Sequence, residues 1–103
     1  MSIFSQIFGG GSSVDLKSII AEGAFLVDVR TPGEFADGNV KGSVNIPLDN
    51  LTKEIAQFQG KKNIIVFCRS GNRSGMAKSL LEQQGFKNVI NGGTWQNVAQ
   101  FVH

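Results

Sequence analysis

The sequence predicts an α/β fold, a parallel sheet of four to five strands with helices on both faces. Short apolar runs alternate with stretches of helical periodicity along the chain, the pattern of strand–helix–strand units with right-handed crossovers. The run Ile64, Ile65, Val66, Phe67 is apolar throughout and mostly β-branched, which suits a strand buried on both faces. Gly23, Pro47, Gly60 and Gly85 stand where one pattern gives way to the next.

Residues 1–10 carry Ile3, Phe4, Ile7 and Phe8 but no basic start, and are too short for a signal peptide or a membrane span. Gly9-Gly10-Gly11-Ser12-Ser13 reads as a flexible linker. The chain thus divides into an arm, residues 1–13, and one domain, residues 14–103. The arm either folds back on the domain, the preferred reading, or contacts a partner or a membrane surface. Ser12 or Ser13 caps a helix with Asp15 in its first turn; Val14, Leu16, Ile19 and Ile20 form its apolar face and Gly23 ends it.

Residues 24–29 then form a central strand ending in the charges of Asp28 and Arg30. Thr31-Pro32 opens a short helical turn containing Glu34, a candidate partner for Arg30, and Phe35, a core or pocket-wall residue. Residues 44–46 are a brief strand stopped by Pro47. Asp49 or Asn50 caps a helix over 51–58, and Gly60-Lys61-Lys62 turns the chain. After the central apolar strand, Met76, Ala77, Leu80 and Leu81 place a helix over 75–84. Val89 and Ile90 form a last strand, and Trp95 opens a final helix with Val98, Ala99, Phe101 and Val102. Trp95 reads as core packing rather than as a substrate platform.

The candidate site lies where the central strand meets its helix, at Cys68-Arg69-Ser70-Gly71-Asn72-Arg73-Ser74. The carboxyl end of a strand is where open α/β sheets place ligands. Helix N–H groups aimed at the sulfur, and the charges of Arg69 and Arg73, favour thiolate over thiol. The same donors make an anion cradle. A lone cysteine is commonly a small buried hydrophobe, but a core cysteine has no need of six following residues without a large apolar group. Cys68 therefore reads as a nucleophile toward a small oxyanion, or as a carrier of sulfur.

This loop resembles the active-site loop of single-domain rhodaneses, a family of sulfurtransferases. Leu26-Val27-Asp28-Val29-Arg30-Thr31-Pro32-Gly33-Glu34-Phe35 is similar to the family's Asp-Val-Arg…Glu-Phe segment. Gly38-Asn39-Val40-Lys41-Gly42-Ser43-Val44-Asn45-Ile46-Pro47 is similar to its Gly-His-Ile…Asn-Ile-Pro segment, and Asn91-Gly92-Gly93-Thr94-Trp95 to its closing Gly-Gly…Trp. Four motifs in order, over about residues 14 to 101, are far more specific than one.

The resemblance implies a rhodanese-like three-layer sandwich whose five-stranded sheet includes an edge strand before Val14, where this chain is rich in Gly and Ser. It implies that Cys68 carries a persulfide, taking sulfur from a donor such as thiosulfate and passing it to cyanide or a thiol, an acceptor protein included. Arg69, Ser70, Gly71, Asn72, Arg73 and Ser74 would bind the donor and its terminal sulfur, with Asp28 and Arg30 in support. Asn39 stands where the family usually has histidine; Asn cannot titrate, and the implied mechanism needs no histidine base.

No cofactor or metal is expected, since one cysteine and one histidine exclude an internal disulfide and a usual zinc cluster. The net charge of +2, without a Lys/Arg run, argues against nucleic acid. A reduced thiol and the absence of a leader lead to the expectation of a cytoplasmic monomer. Two rival readings stand beside sulfur transfer. Cysteine phosphatases and arsenate reductases of similar fold need five residues between cysteine and arginine; four separate Cys68 from Arg73, and the loop holds no acid. A persulfide carrier or interaction module without turnover is the other.

Overall fold

The computed structural model describes the backbone of residues 10–103, with side chains from Leu16 onward. The arm's first nine residues lie outside the described part. The elements run α1 (Gly10–Glu22), β1 (Phe25–Asp28), α2 (Pro32–Asp37), β2 (Val44–Asn45), two 3-10 turns (Leu48–Asn50 and Thr52–Phe58), β3 (Ile64–Cys68), α3 (Asn72–Gln83), β4 (Val89–Thr94) and α4 (Trp95–Ala99).

The strands form one parallel sheet in the order β2-β1-β3-β4. β3 is central and every one of its residues is buried. Alternation along β3 sends its side chains to two cores. Ile64, Val66 and Cys68 join Val27, Leu51, Phe58, Ala77 and Leu81 beneath α3 and the 3-10 turns. Ile65 and Phe67 join Leu16, Leu26, Val40 and Val98 beneath α1 and α4. The chain is thus a three-layer α/β sandwich, and the parity of residue 68 puts the cysteine on the α3 side.

Three elements differ from the sequence reading. α1 opens at Gly10, so residues 10–13 continue the helix backward past the expected serine cap. That added turn supplies carbonyls to the N–H groups of residues 14–17, which a single serine satisfies only in part. The expected helix over 51–58 is instead a pair of 3-10 turns interrupted at Glu54, whose φ of −107° and ψ of 19° are not helical. Leu51 and Phe58 are both fully buried there, and so short a segment has little helical stability of its own to resist that demand. Among the described residues the sheet has four strands, within the four to five that the sequence predicts.

β4 is longer than Val89 and Ile90 alone. It continues to Thr94 through a bulge: Val66 pairs with Asn91 but Phe67 pairs with Gly93, leaving Gly92 as the extra residue. The alternation sends the side chain of Asn91 to the α3 side, where it bonds Ser74 and Gly71. Gly92 faces α4 across no spare volume. A Cβ there would lie 2.7 Å from Val98 Cγ2 and 2.9 Å from Ile65 Cγ2. Gly92→Ala should therefore destabilise the fold by about 1–3 kcal/mol through overpacking, read as a lower denaturant midpoint at unchanged slope.

Candidate active site

Cys68 is the last residue of β3 and is fully buried. The chain must turn at once into α3, and it does so through Gly71, whose φ of +97° lies in the left-handed region. That turn aims the Gly71 N–H at Cys68 Sγ, 3.0 Å away. The Ser74 N–H, in the first turn of α3, donates to the same sulfur at 3.4 Å. The Ser74 hydroxyl oxygen lies 3.5 Å from Sγ and 2.7 Å from Asn91 Oδ1. Burial pushes the Cys68 thiol up, but hydrogen bonds from the Ser74 hydroxyl and from the N–H groups of Ser74, Ser70 and Gly71 outweigh it. The net effect holds the thiol below the ordinary range, so the fixed donors ease its ionisation.

The candidate residues divide by what they touch. Gly71 and Ser74 contact the sulfur. Ser70 stands in the same turn, its hydroxyl accepting from the Asn72 N–H at 3.3 Å. Arg73 is paired: its guanidinium forks onto both carboxylate oxygens of Glu34 in α2, at 2.7 and 3.0 Å. Arg69 is exposed, and none of the ion pairs among the described residues involves it. It lines a cavity of about 290 Å³ with Arg30, Glu34, Asp37, Trp95 and Gln96.

Asp28 and Arg30 form a pair at the end of β1, 0% and 4% exposed, and Arg30 donates to both carboxylate oxygens. Arg30 also donates to the Gly38 carbonyl at 2.6 Å and lies 4.9 Å from the centre of the Trp95 ring. Trp95 packs on the α4-side core and lines the cavity at once. The expected Glu34–Arg30 pair does not form, because Asp28 already satisfies Arg30 two residues away. Asn39 is exposed and donates to the Phe35 carbonyl at 2.9 Å, closing the end of α2.

Two residues at the site were not singled out from the sequence as site residues. The sequence offers Glu34 only as a partner for Arg30. In the sequence Asn91 is legible only as the start of the closing Gly-Gly…Trp segment, and no local signal connects it to a helix N-terminus 17 residues earlier. No group of three or more His, Cys, Asp or Glu among the described residues is placed to hold a metal ion. None of their helices is long and apolar enough to cross a membrane.

Arg73, with help from the Thr31 N–H, holds the Glu34 carboxyl down at about 2, against an ordinary value of 4.5. A depressed carboxylate contributes stability above its unfolded value and loses it as pH falls through the folded one. The partners are 28% and 33% exposed, so solvent screening keeps the contribution small. Glu34→Gln should cost roughly 1 kcal/mol at neutral pH. The gap between native chain and variant should close as pH falls from about 4.5 to about 2, measured by urea unfolding at stepped pH.

Comparison with known proteins agrees with this geometry. The family model described as a rhodanese-like domain matches residues 12–95. The chain is 36% identical over 75 residues to the thiosulfate sulfurtransferase PspE of Escherichia coli, covering 71% of this chain and 72% of that one. It is 38% identical over 66 residues to the putative sulfur carrier protein YrkF of Bacillus subtilis, covering 64% of this chain but only 36% of that longer protein. The solved structure of an E. coli rhodanese with anions superimposes with a TM-score of 0.67 at 35% identity, covering 74% of this chain and 92% of that one. With the family model matched over residues 12–95 and the fold shared with solved relatives, the chain belongs to the rhodanese-like family.

Proposed function

We propose that this protein is a sulfurtransferase that moves sulfane sulfur from a small anionic donor such as thiosulfate to a thiophilic acceptor through a persulfide on Cys68. The observation that carries the reading is the cradle: two N–H groups and a hydroxyl converge on one buried sulfur. That arrangement stabilises negative charge on sulfur, first on the thiolate and then on the persulfide's outer atom.

In the first half-reaction the Cys68 thiolate attacks the outer sulfur of thiosulfate. The donor's S–S bond breaks, sulfite leaves with the electron pair, and a new S–S bond joins the outer sulfur to Sγ. In the second, cyanide or a thiolate attacks that outer sulfur; its bond to Sγ breaks, the product leaves and the Cys68 thiolate is restored. This is covalent, two-step catalysis that needs neither metal nor organic cofactor. Gly71, Ser74 and the turn through Ser70 and Asn72 cradle the sulfur. Arg69 meets the sulfonate oxygens of the incoming donor from the open side of the site. Arg73, neutralised by Glu34, braces the loop, as Asp28 and Arg30 brace the neighbouring strand end. The four-residue spacing from Cys68 to Arg73 and the pairing of Arg73 support sulfur chemistry over phosphoryl transfer, where that arginine would have to face the phosphate. The similarity to a putative sulfur carrier supports a second reading, in which Cys68 is loaded once and unloaded by a partner protein.

Intact mass after incubation with thiosulfate tests both. The native chain should gain about one sulfur atom, cyanide should remove it, and Cys68→Ser should gain none. Sustained thiocyanate production marks an enzyme, a single loading that waits for a partner protein marks a carrier, and no mass gain rejects thiosulfate as the donor. For an enzyme, Arg69→Ala should raise the KM for thiosulfate about tenfold with a smaller effect on kcat, as expected for losing one charge-assisted contact to the donor.

A further inference from the structure

The Ser74 hydroxyl has one proton and two partners. It is fully buried, and among the described residues its oxygen lies 2.7 Å from Asn91 Oδ1 and 3.5 Å from Cys68 Sγ. The orientation of the Asn91 amide is fixed by its other neighbours. Gly93 N–H, which can only donate, lies 2.9 Å from Oδ1. The Gly71 carbonyl, which can only accept, lies 3.2 Å from Nδ2. Reversing the amide would set donor against donor and acceptor against acceptor. Oδ1 therefore faces Ser74, and at 2.7 Å the serine proton points to it.

A hydroxyl that donates to Asn91 can only accept from Cys68. That suits a thiol, whose S–H points at the serine oxygen. It does not suit a thiolate, which needs donors. We propose that Asn91 is a positioning residue that holds the Ser74 proton off the sulfur in the resting thiol and yields it when the thiolate or persulfide forms. The exchange is a rotation of one hydroxyl. Asn91 Oδ1 keeps the Gly93 N–H throughout, so the amide is never left without a donor. The Nδ2 bond to the Gly71 carbonyl meanwhile holds the turn whose N–H already faces the sulfur. Asn91 thus acts on Cys68 by two routes, one through Ser74 and one through Gly71, and touches neither donor nor acceptor.

This inference deepens the sulfurtransferase reading, since it concerns how the same nucleophile is held ready. The charges around Cys68 belong to Arg69 in the loop, Arg73 of α3 with Glu34 of α2, and the Asp28–Arg30 pair of β1; β4 contributes none. All of them are left in place by the variants below.

The test is the pH midpoint of Cys68 alkylation by iodoacetamide, a neutral probe that requires no sulfur donor. Failure of sulfur transfer therefore leaves this test intact, and failure here leaves the persulfide mass test standing. Asn91→Ala and Asn91→Asp are each made with Ser74 present and with Ser74→Ala. The readout is the difference between the shifts in the two backgrounds, which cancels the Gly71 route and any direct charge effect. With Ser74 present, Asn91→Ala should shift the midpoint further down than the same change does in the Ser74→Ala background, by about half a pH unit to one unit, because the proton is free for sulfur. Asn91→Asp should shift it further up than in the Ser74→Ala background by a similar amount, because a carboxylate holds the proton more tightly. Equal shifts in the two backgrounds would overturn the proposal. Should Asn91→Asp fail to fold, judged by circular dichroism, the Asn91→Ala pair decides alone.

Discussion

A buried sulfur that must carry negative charge is the constraint on which the site depends. Cys68 ends a strand with no exposed residue, so its thiolate is poorly solvated by water. Burial alone would hold the proton on. The protein offsets this with backbone donors, and the nearest of them is Gly71 N–H at 3.0 Å. That donor exists because the chain turns through a left-handed residue directly between strand and helix. The turn, the first residues of α3 and the cysteine form one unit, in which no part keeps its role without the others.

Such a loop has little apolar surface with which to hold its shape, and polar contacts from distant segments do so instead. Glu34 reaches Arg73 from 39 residues away, and Asn91 reaches Gly71 from 20. On the far side of the cavity, Asp28 and the Gly38 carbonyl fix Arg30, whose guanidinium lies over Trp95. The arginines near the cysteine are therefore not equivalent. Arg30 and Arg73 are neutralised by carboxylates, and Arg69 alone stays outside the ion pairs of the described residues. The positive potential at the cysteine loop thus rests on one exposed cation and a set of N–H dipoles.

The β4 bulge ties packing to chemistry. One extra residue, Gly92, lets α4 close onto the sheet without a side chain in the way. The residue before it, Asn91, faces α3 at the height of the cysteine loop. The Gly93 N–H then turns back to fix the Asn91 amide. A glycine pair that the sequence marks only as part of a closing motif thus seats a helix on one face and orients a hydrogen-bonding side chain on the other.

The sequence by itself determined the strand ending in Cys68, the polar turn, the helix behind it, and the alternation that makes the sheet parallel. These are local: burial pattern, a left-handed glycine and helix periodicity act within about a dozen residues. It also carried enough family pattern to point to the rhodanese-like fold. Only the tertiary structure decided that Glu34 pairs with Arg73 rather than Arg30, that residues 52–58 wind as 3-10 turns, and that Asn91 enters the site. The physical reason is that each outcome is a competition whose winner is set by which groups the fold brings together, not by local preference alone. Asp28 reaches Arg30 first, the buried Leu51 and Phe58 override a weak local helix, and a one-residue bulge sets which side chains of β4 meet the helix.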